Sequence, residues 1–400
     1  MAKIEFEAKA GSGPLHFAGG ANHYRLLGLE ITRGSPGASI TALAFTKDDD
    51  TADHLIFDRV WMHGTAQDET TRGIVLRGMT YVAVVDSFLS DFHCTAAVGA
   101  CTDSQTVSNG GGKRPGGPYK IVNNFLEAAG ENILFGGAPA TQIPADIEIR
   151  HNHLFKPMIW KRGDPGFVGS QDGHPFIVKN NFELKSGQRV LFEGNVLENS
   201  WGGFTQTGFA ILLTPKNQAG QGKRNVCPIC RVSDVTIRYN RVANVAGALQ
   251  VGNIRSDAGG ISSGGERYSI HDLVVENVHS KDYKGFGVFL LLLSVAPPLH
   301  DVQISHVTAF VPGPLISILQ SGQEGIANFS LTDSILSTAA ERPSVVSAGK
   351  GPQNCAFRPQ VQGVAGVFKS CFPNGKITHN IIIGSREKWA PGNTNVSDAQ

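Results

Sequence analysis

A short unit recurs along the whole chain and constrains the fold more than anything else in it. The unit reads apolar-x-apolar-x-x-Asn-x-apolar. It appears as KIVNNFL (120–126), IEIRHNHL (147–154), VLFEGNVL (190–197), VTIRYNRV (235–242) and ITHNII (377–382). VAVVDSFL (82–89) and FSLTDSIL (329–336) carry Ser in the Asn position, and LVVENVH and VQISHVTA are looser copies. The alternation of period two predicts strands. Asn at a fixed point between two strands predicts a bend tolerated there, with each amide within reach of its counterpart in the next copy.

A second, shorter strand precedes many of these units. GIVLRG (73–78) leads into YVAVVDSFL with the offset by which NFELKS (181–186) leads into RVLFEGNVL. NILFGG (132–137), FAILLT (209–214), ALQVGN (248–253), VFLLLL (288–293) and LISILQ (315–320) hold similar positions. Two or three short strands per repeat, joined by loops of uneven length, predict an all-β solenoid: a parallel β-helix whose coils bury their inward residues against one another. A single such domain is expected over 1–400, with a loop insertion at 341–375 before a last coil at about 376–384. Forty-eight glycines in a chain that is 41% hydrophobic agree with many short strands and tight turns.

Composition removes several function classes. Charged residues make up 17% of the chain and the net charge is +1, so there is no electrostatic footprint for nucleic acid or an anionic membrane. The longest apolar run, GVFLLLLSVA (287–296), is about half of what a membrane span needs and reads as a buried strand. MAKIEFEAKAGSG lacks the apolar core of a signal peptide and opens directly on a strand-like alternation, as a mature protein or a fragment would. The six cysteines form three pairs close in sequence: Cys94/Cys101, Cys227/Cys230 and Cys355/Cys371. Such pairs suit loop-stapling disulfides in an oxidising compartment, secreted or periplasmic. CPIC is alternatively half of a zinc site, although no second CxxC or His pair accompanies it.

The chain resembles the right-handed parallel β-helix, or pectin-lyase-like, proteins. YKIVNNFLEAAGENILFGG, IEIRHNHLFKP and VKNNFELKSGQRVLFEGNVLENSW are similar to a group of secreted bacterial β-helix proteins without an assigned reaction. The wider family includes polysaccharide lyases, glycoside hydrolases, epimerases and phage tailspikes. The paired aspartates and GHG of polygalacturonases and the WIDH of pectate lyases are missing here, while FELKS resembles the Glu and Lys-Ser stretch of alginate and chondroitin lyases. The resemblance implies a right-handed coil and a polysaccharide or oligosaccharide partner.

Stacking nominates the site. Aligning GIVLRG with NFELKS puts Ile74 and Phe182 inward, then Leu76 and Leu184; Arg77 and Lys185 share an outward column, with Glu183 in the column beside it. Gly136 falls opposite Lys185, followed by Gly137, and glycines there leave room for a ligand near the backbone. Asp103, Gln105, Asn109, Glu131 and Gln250 complete the polar face. Trp160, Trp201 and His174 lie in loops from which rings stack on sugars. The leading expectation is a lyase that cleaves a uronic-acid polymer by β-elimination, with Lys185 as base, Arg77 on a substrate carboxylate, and Glu183 with Glu131 holding Ca²⁺. An inverting glycoside hydrolase would use Asp103 and Glu183, two coils apart, with Glu127, Glu131 and Glu198 as other carboxylates. A non-catalytic glycan-binding or adhesin-like β-helix is the third possibility, since outward Glu and Lys two apart on a strand are commonly a solvated pair worth little. Arg150 and Lys179 read as surface or turn partners. TKDDDTADH (46–54) reads as an exposed acidic loop or a loop for a hard cation.

Overall fold

The computed structural model describes all residues except 8–12, 48–49, 96–100, 102, 115, 204–206, 219–225, 340, 348–353, 358–360 and 398–400. It is a right-handed parallel β-helix with three walls. Each coil runs along a first wall, turns at the ladder residue into a second, and reaches a third after a loop. The coil holding Met79–Val85, Phe88–Phe92 and Gln105–Ser108 is typical. Among the described residues, 22 strands wrap the first two walls and 11 form the third. All their pairings are parallel, as coils of one hand require.

Asparagine builds the corner between the first two walls. Asn124 Nδ2 donates to Asn152 Oδ1 (2.9 Å), Asn152 to Asn195 (3.0 Å) and Asn195 to Asn240 (3.1 Å). The backbone N–H of each donates to the same acceptor. Asn does not itself supply the unusual backbone angle, contrary to expectation. The residue before it does: Asn123, His151 and Tyr239 have φ of 57°, 55° and 57°, and Gly194 64°. Where the slot holds Leu273 or Val307, no amide punctuates the corner, and Gly264–Val278 and Val302–Phe310 run through it as single strands.

The third wall begins with a second irregularity that matters for function. Asn132 N and Ile133 N both donate to Asn181 O, so two consecutive residues turn inward. Asn132 Nδ2 caps the carbonyls of Leu126 and Phe155 at that corner. Gln105 and Glu131 therefore project outward while Val107, Ile133, Phe182 and Ile211 continue the buried stack.

All three cysteine pairs form disulfides as paired in the sequence. Within 341–375, expected as a loop, Val345–Ser347 extends the third wall and Gly363–Cys371 is a helix. Parts of that stretch lie outside the described residues. Lys376–Thr378 and Ile381–Ile383 follow, and Thr394–Val396 adds one further strand. No helix among the described residues is long and apolar enough to cross a membrane.

Candidate functional site

The register predicted for the third wall holds. Pairings carry Ile74 through Val107 and Ile133 to Phe182, so Arg77 and Lys185 do share a column and Gly136 is opposite Lys185. Three rungs separate the two cations, about 14 Å at roughly 4.8 Å per rung. Glu183 occupies the neighbouring outward column, between Leu134 and Leu212. Outward does not mean exposed. Glu183 and Lys185 are only 3% and 8% accessible, which rules out the alternative of a solvated surface pair.

They belong to a chain of polar contacts along this wall. Arg72 Nε donates to Gln105 Oε1 (2.8 Å), and Gln105 Nε2 donates to Glu131 Oε2 (2.7 Å). Lys179 pairs with Asp103 and stands 3.9 Å from Glu131 Oε1, which accepts no hydrogen bond. Lys185 Nζ is 3.4 Å from Glu183 Oε1, and Asn180 Nδ2 donates to Glu183 Oε2 (3.0 Å). Beneath the chain, the Lys156 ammonium donates to the carbonyls of Ala128, Ala129 and Gly130 at 2.7–3.1 Å. At its open end the chain meets a groove of about 730 Å³ lined by Arg72, Arg77, Lys47, Asp50 and Asn109.

Burial and neighbouring charges drive the ionisable groups apart. Burial, reinforced by the Asp103 charge, lifts the Glu131 carboxyl to about 7. Burial also acts on Asp103, but Lys179 outweighs it and holds that carboxyl below its usual range. Burial works against the Lys185 ammonium, yet Glu183, Glu131 and Asp103 together raise its pKa above that of an ordinary lysine. Lys185 therefore stays charged, which contradicts its expected role as base. Lys216, whose N–H donates to the Lys185 carbonyl, shows the opposite behaviour: burial and then the Lys185 charge lower its pKa.

Other expectations change as well. Trp160 (3% accessible) and Trp201 (6%) are buried, pack with Phe176 and Val178 and line a cavity of about 240 Å³, while His174 is exposed in a turn held by Ser170. The glycine gap serves the chain itself. A Cβ on Gly136 would lie 2.6 Å from Ser186 N, and one on Gly137 would lie 3.1 Å from Lys185 Cδ. Gln250 bonds Thr214 two rungs beyond Glu183. Lys179 is central to the network instead of a turn partner, whereas Arg150 joins the surface pairs with Glu148 and Glu193. Asp50 of the acidic loop pairs with His16, and Asp48 and Asp49 lie outside the described residues.

Calcium does not fit Glu183 and Glu131 as they stand. A lysine ammonium already faces each carboxyl, Glu131 is pushed toward its neutral form, and Asp103 and Glu183 are matched by Lys179 and Lys185. No net negative field remains for a hard dication.

No protein-family model matches the sequence, and no curated protein matches it. Two solved structures are similar in chain path. One is XylC in complex with xylose, with a TM-score of 0.42 and 10% identity over 90% of this chain and 54% of that chain. The other is a family 28 exopolygalacturonase of Yersinia enterocolitica, with a TM-score of 0.33 and 9% identity over 94% of this chain and 72% of that chain. The likeness is one of fold. This chain spans about half the length of the first.

Proposed function

We propose that this chain is a carbohydrate-active enzyme that binds an acidic polysaccharide along its third wall and cleaves it by β-elimination. One observation carries the proposal: adjacent lysines are driven apart, Lys185 held charged and Lys216 pushed toward its neutral form. Arg72, Arg77 and Lys47 receive substrate carboxylates in the groove. Lys216 removes the proton next to a uronate carboxylate, and Lys185 stabilises the dianion that results. The electron pair forms the C4–C5 double bond, the C4–O bond breaks, and the leaving oxygen takes a proton from solvent. The protein's own lysines supply the cation that a metal would otherwise provide.

A second chemistry has its own support. Glu131 near 7 and Asp103 kept ionised are the separated acid and base of a glycoside hydrolase. Glu131 is covered by the Lys179–Asp103 pair, so hydrolysis requires a substrate carboxylate to draw Lys179 aside.

Digestion of polygalacturonate, alginate and hyaluronan distinguishes these outcomes. Elimination gives an ultraviolet-absorbing unsaturated product, unaffected by EDTA. Its rate rises with pH to a midpoint below the 10.5 of an ordinary lysine and falls at least about a hundredfold in Lys216→Ala. Reducing ends without ultraviolet absorbance would establish hydrolysis instead. Binding without turnover of any of these polymers would leave a glycan-binding module and overturn the enzymatic reading.

A further inference from the structure

A second surface feature lies on the first wall, away from the charged network. At the entry to each coil one residue adopts a left-handed conformation: φ is 59° at His23, 50° at His54, 51° at Tyr81, 58° at Asp146 and 52° at Arg189. Strand register puts these residues in one column, with Pro118 between Tyr81 and Asp146. His23, His54 and Tyr81 stack as parallel plates, with centroids 4.6 Å apart and planes within 4°. Beyond Pro118 the column resumes as a bidentate pair, Arg189 Nε to Asp146 Oδ1 (2.7 Å) and Nη2 to Oδ2 (2.9 Å). In the adjoining column the side chain shrinks one rung before Pro118, on the strand of Tyr81, where Ala83 stands between Ile56 and Lys120.

The result is a groove of about 750 Å³ whose lining includes Tyr81, Ala83, Pro118, Lys120, Asp146 and Arg189. That is the size of a small-ligand site. His23, Asp53 and His54 bring possible metal ligands within 4.8 Å of one another, but parallel imidazoles direct their lone pairs side by side, not toward one ion. The plates serve stacking.

We propose that this groove binds a pyranose ring of a glycan, which takes the place of the missing rung. Tyr81 and Asp146 are two rungs apart, about 9.6 Å, which accommodates one ring in contact with both. One wall offers an aromatic face to sugar C–H groups. The opposite wall offers a carboxylate and a guanidinium, with the Lys120 ammonium beside them, as partners for hydroxyls. A flat hydrocarbon would leave those groups unused, and a simple anion would leave Tyr81 unused. A bulky Tyr is rarely held at positive φ, so the column's backbone favours Asn or Gly there and the ring is retained against that preference. The site is on a different wall from the charged groove and does not depend on cleavage there.

The test is titration of the whole chain with cellotetraose and tetragalacturonate, followed by saturation-transfer NMR and calorimetry. Tyr81→Asn accepts the same backbone and should weaken binding roughly tenfold, the measured range for an aromatic stack. Ala83→Phe should block the groove from the adjacent column. Both should keep the native thermal transition, and Lys216→Ala should still bind cellotetraose. Failure of the native protein to bind either sugar, or unchanged binding in both variants, would overturn the proposal. So would self-association of the native protein that Tyr81→Asn abolishes while neither sugar binds, because the face would then join two copies of the chain.

Discussion

Replacing Glu131 with Gln tests the electrostatics of the charged network directly. A carboxyl moved from 4.5 to about 7 carries a preference of roughly 3 kcal/mol for its neutral form. Gln reproduces that form and can still accept the Gln105 hydrogen bond. The sign follows from linkage. A carboxyl whose folded pKa is raised gives the fold its full stability below the unfolded value and loses it as pH rises through the folded value. The native protein should thus lose stability relative to Glu131→Gln between pH about 4.5 and about 7, then run parallel to it. Denaturant unfolding of both proteins across this range, compared as a difference, cancels the other titrating groups. The variant should gain about 3 kcal/mol on the native protein from the acid to the alkaline end. A difference that stays flat with pH would refute the claim that burial and Asp103 hold this carboxyl neutral.

Two further variants probe what supports the wall. Asn195→Ala removes the shared acceptor of Asn152 N and Nδ2 and the amide donor to the Ile149 carbonyl and Asn240 Oδ1 in a buried ladder, and should cost about 3 kcal/mol in denaturant unfolding. Lys156→Met keeps the volume but takes the ammonium donor from three buried carbonyls beneath the network, of which Ala129 O keeps the Lys179 N–H; a comparable loss is expected, and an unchanged unfolding midpoint would mean that water replaces the ammonium.

Period-two alternation and the repeated Asn made the coils readable, because each inward residue must meet its counterpart one rung away. The same regularity gave the correct register for Arg77, Gly136 and Lys185 across four coils. Exposure was not readable. Whether an outward side chain meets water depends on loops whose course no repeat dictates, and those loops bury Glu183, Lys185 and Trp160. Lys179 and Lys216 fall outside the repeated strands, so no alignment of copies could bring them to the site. Arg72 sits one residue before GIVLRG, at the irregularity where two successive residues turn inward, and a strict alternation assigns it to no column.

The column that holds Glu183 bears on why the charges are there at all. Its immediate neighbours on either side are Leu134 and Leu212, both buried, so the architecture readily takes an apolar side chain at this height. A buried ion pair is weak support for a fold, and replacing both partners with apolar groups is often neutral or stabilising. Glu183→Leu alone should therefore cost about 3 kcal/mol, because it leaves the Lys185 ammonium buried with one partner fewer. The double variant Glu183→Leu, Lys185→Leu should recover most of that loss and abolish cleavage. Unfolding measurements on the two variants, with the polymer assay on the second, separate the possibilities. If the double variant were as unstable as the single one, the pair would be part of the scaffold. If it unfolded like the native protein but no longer cleaved, the charges would be retained for chemistry.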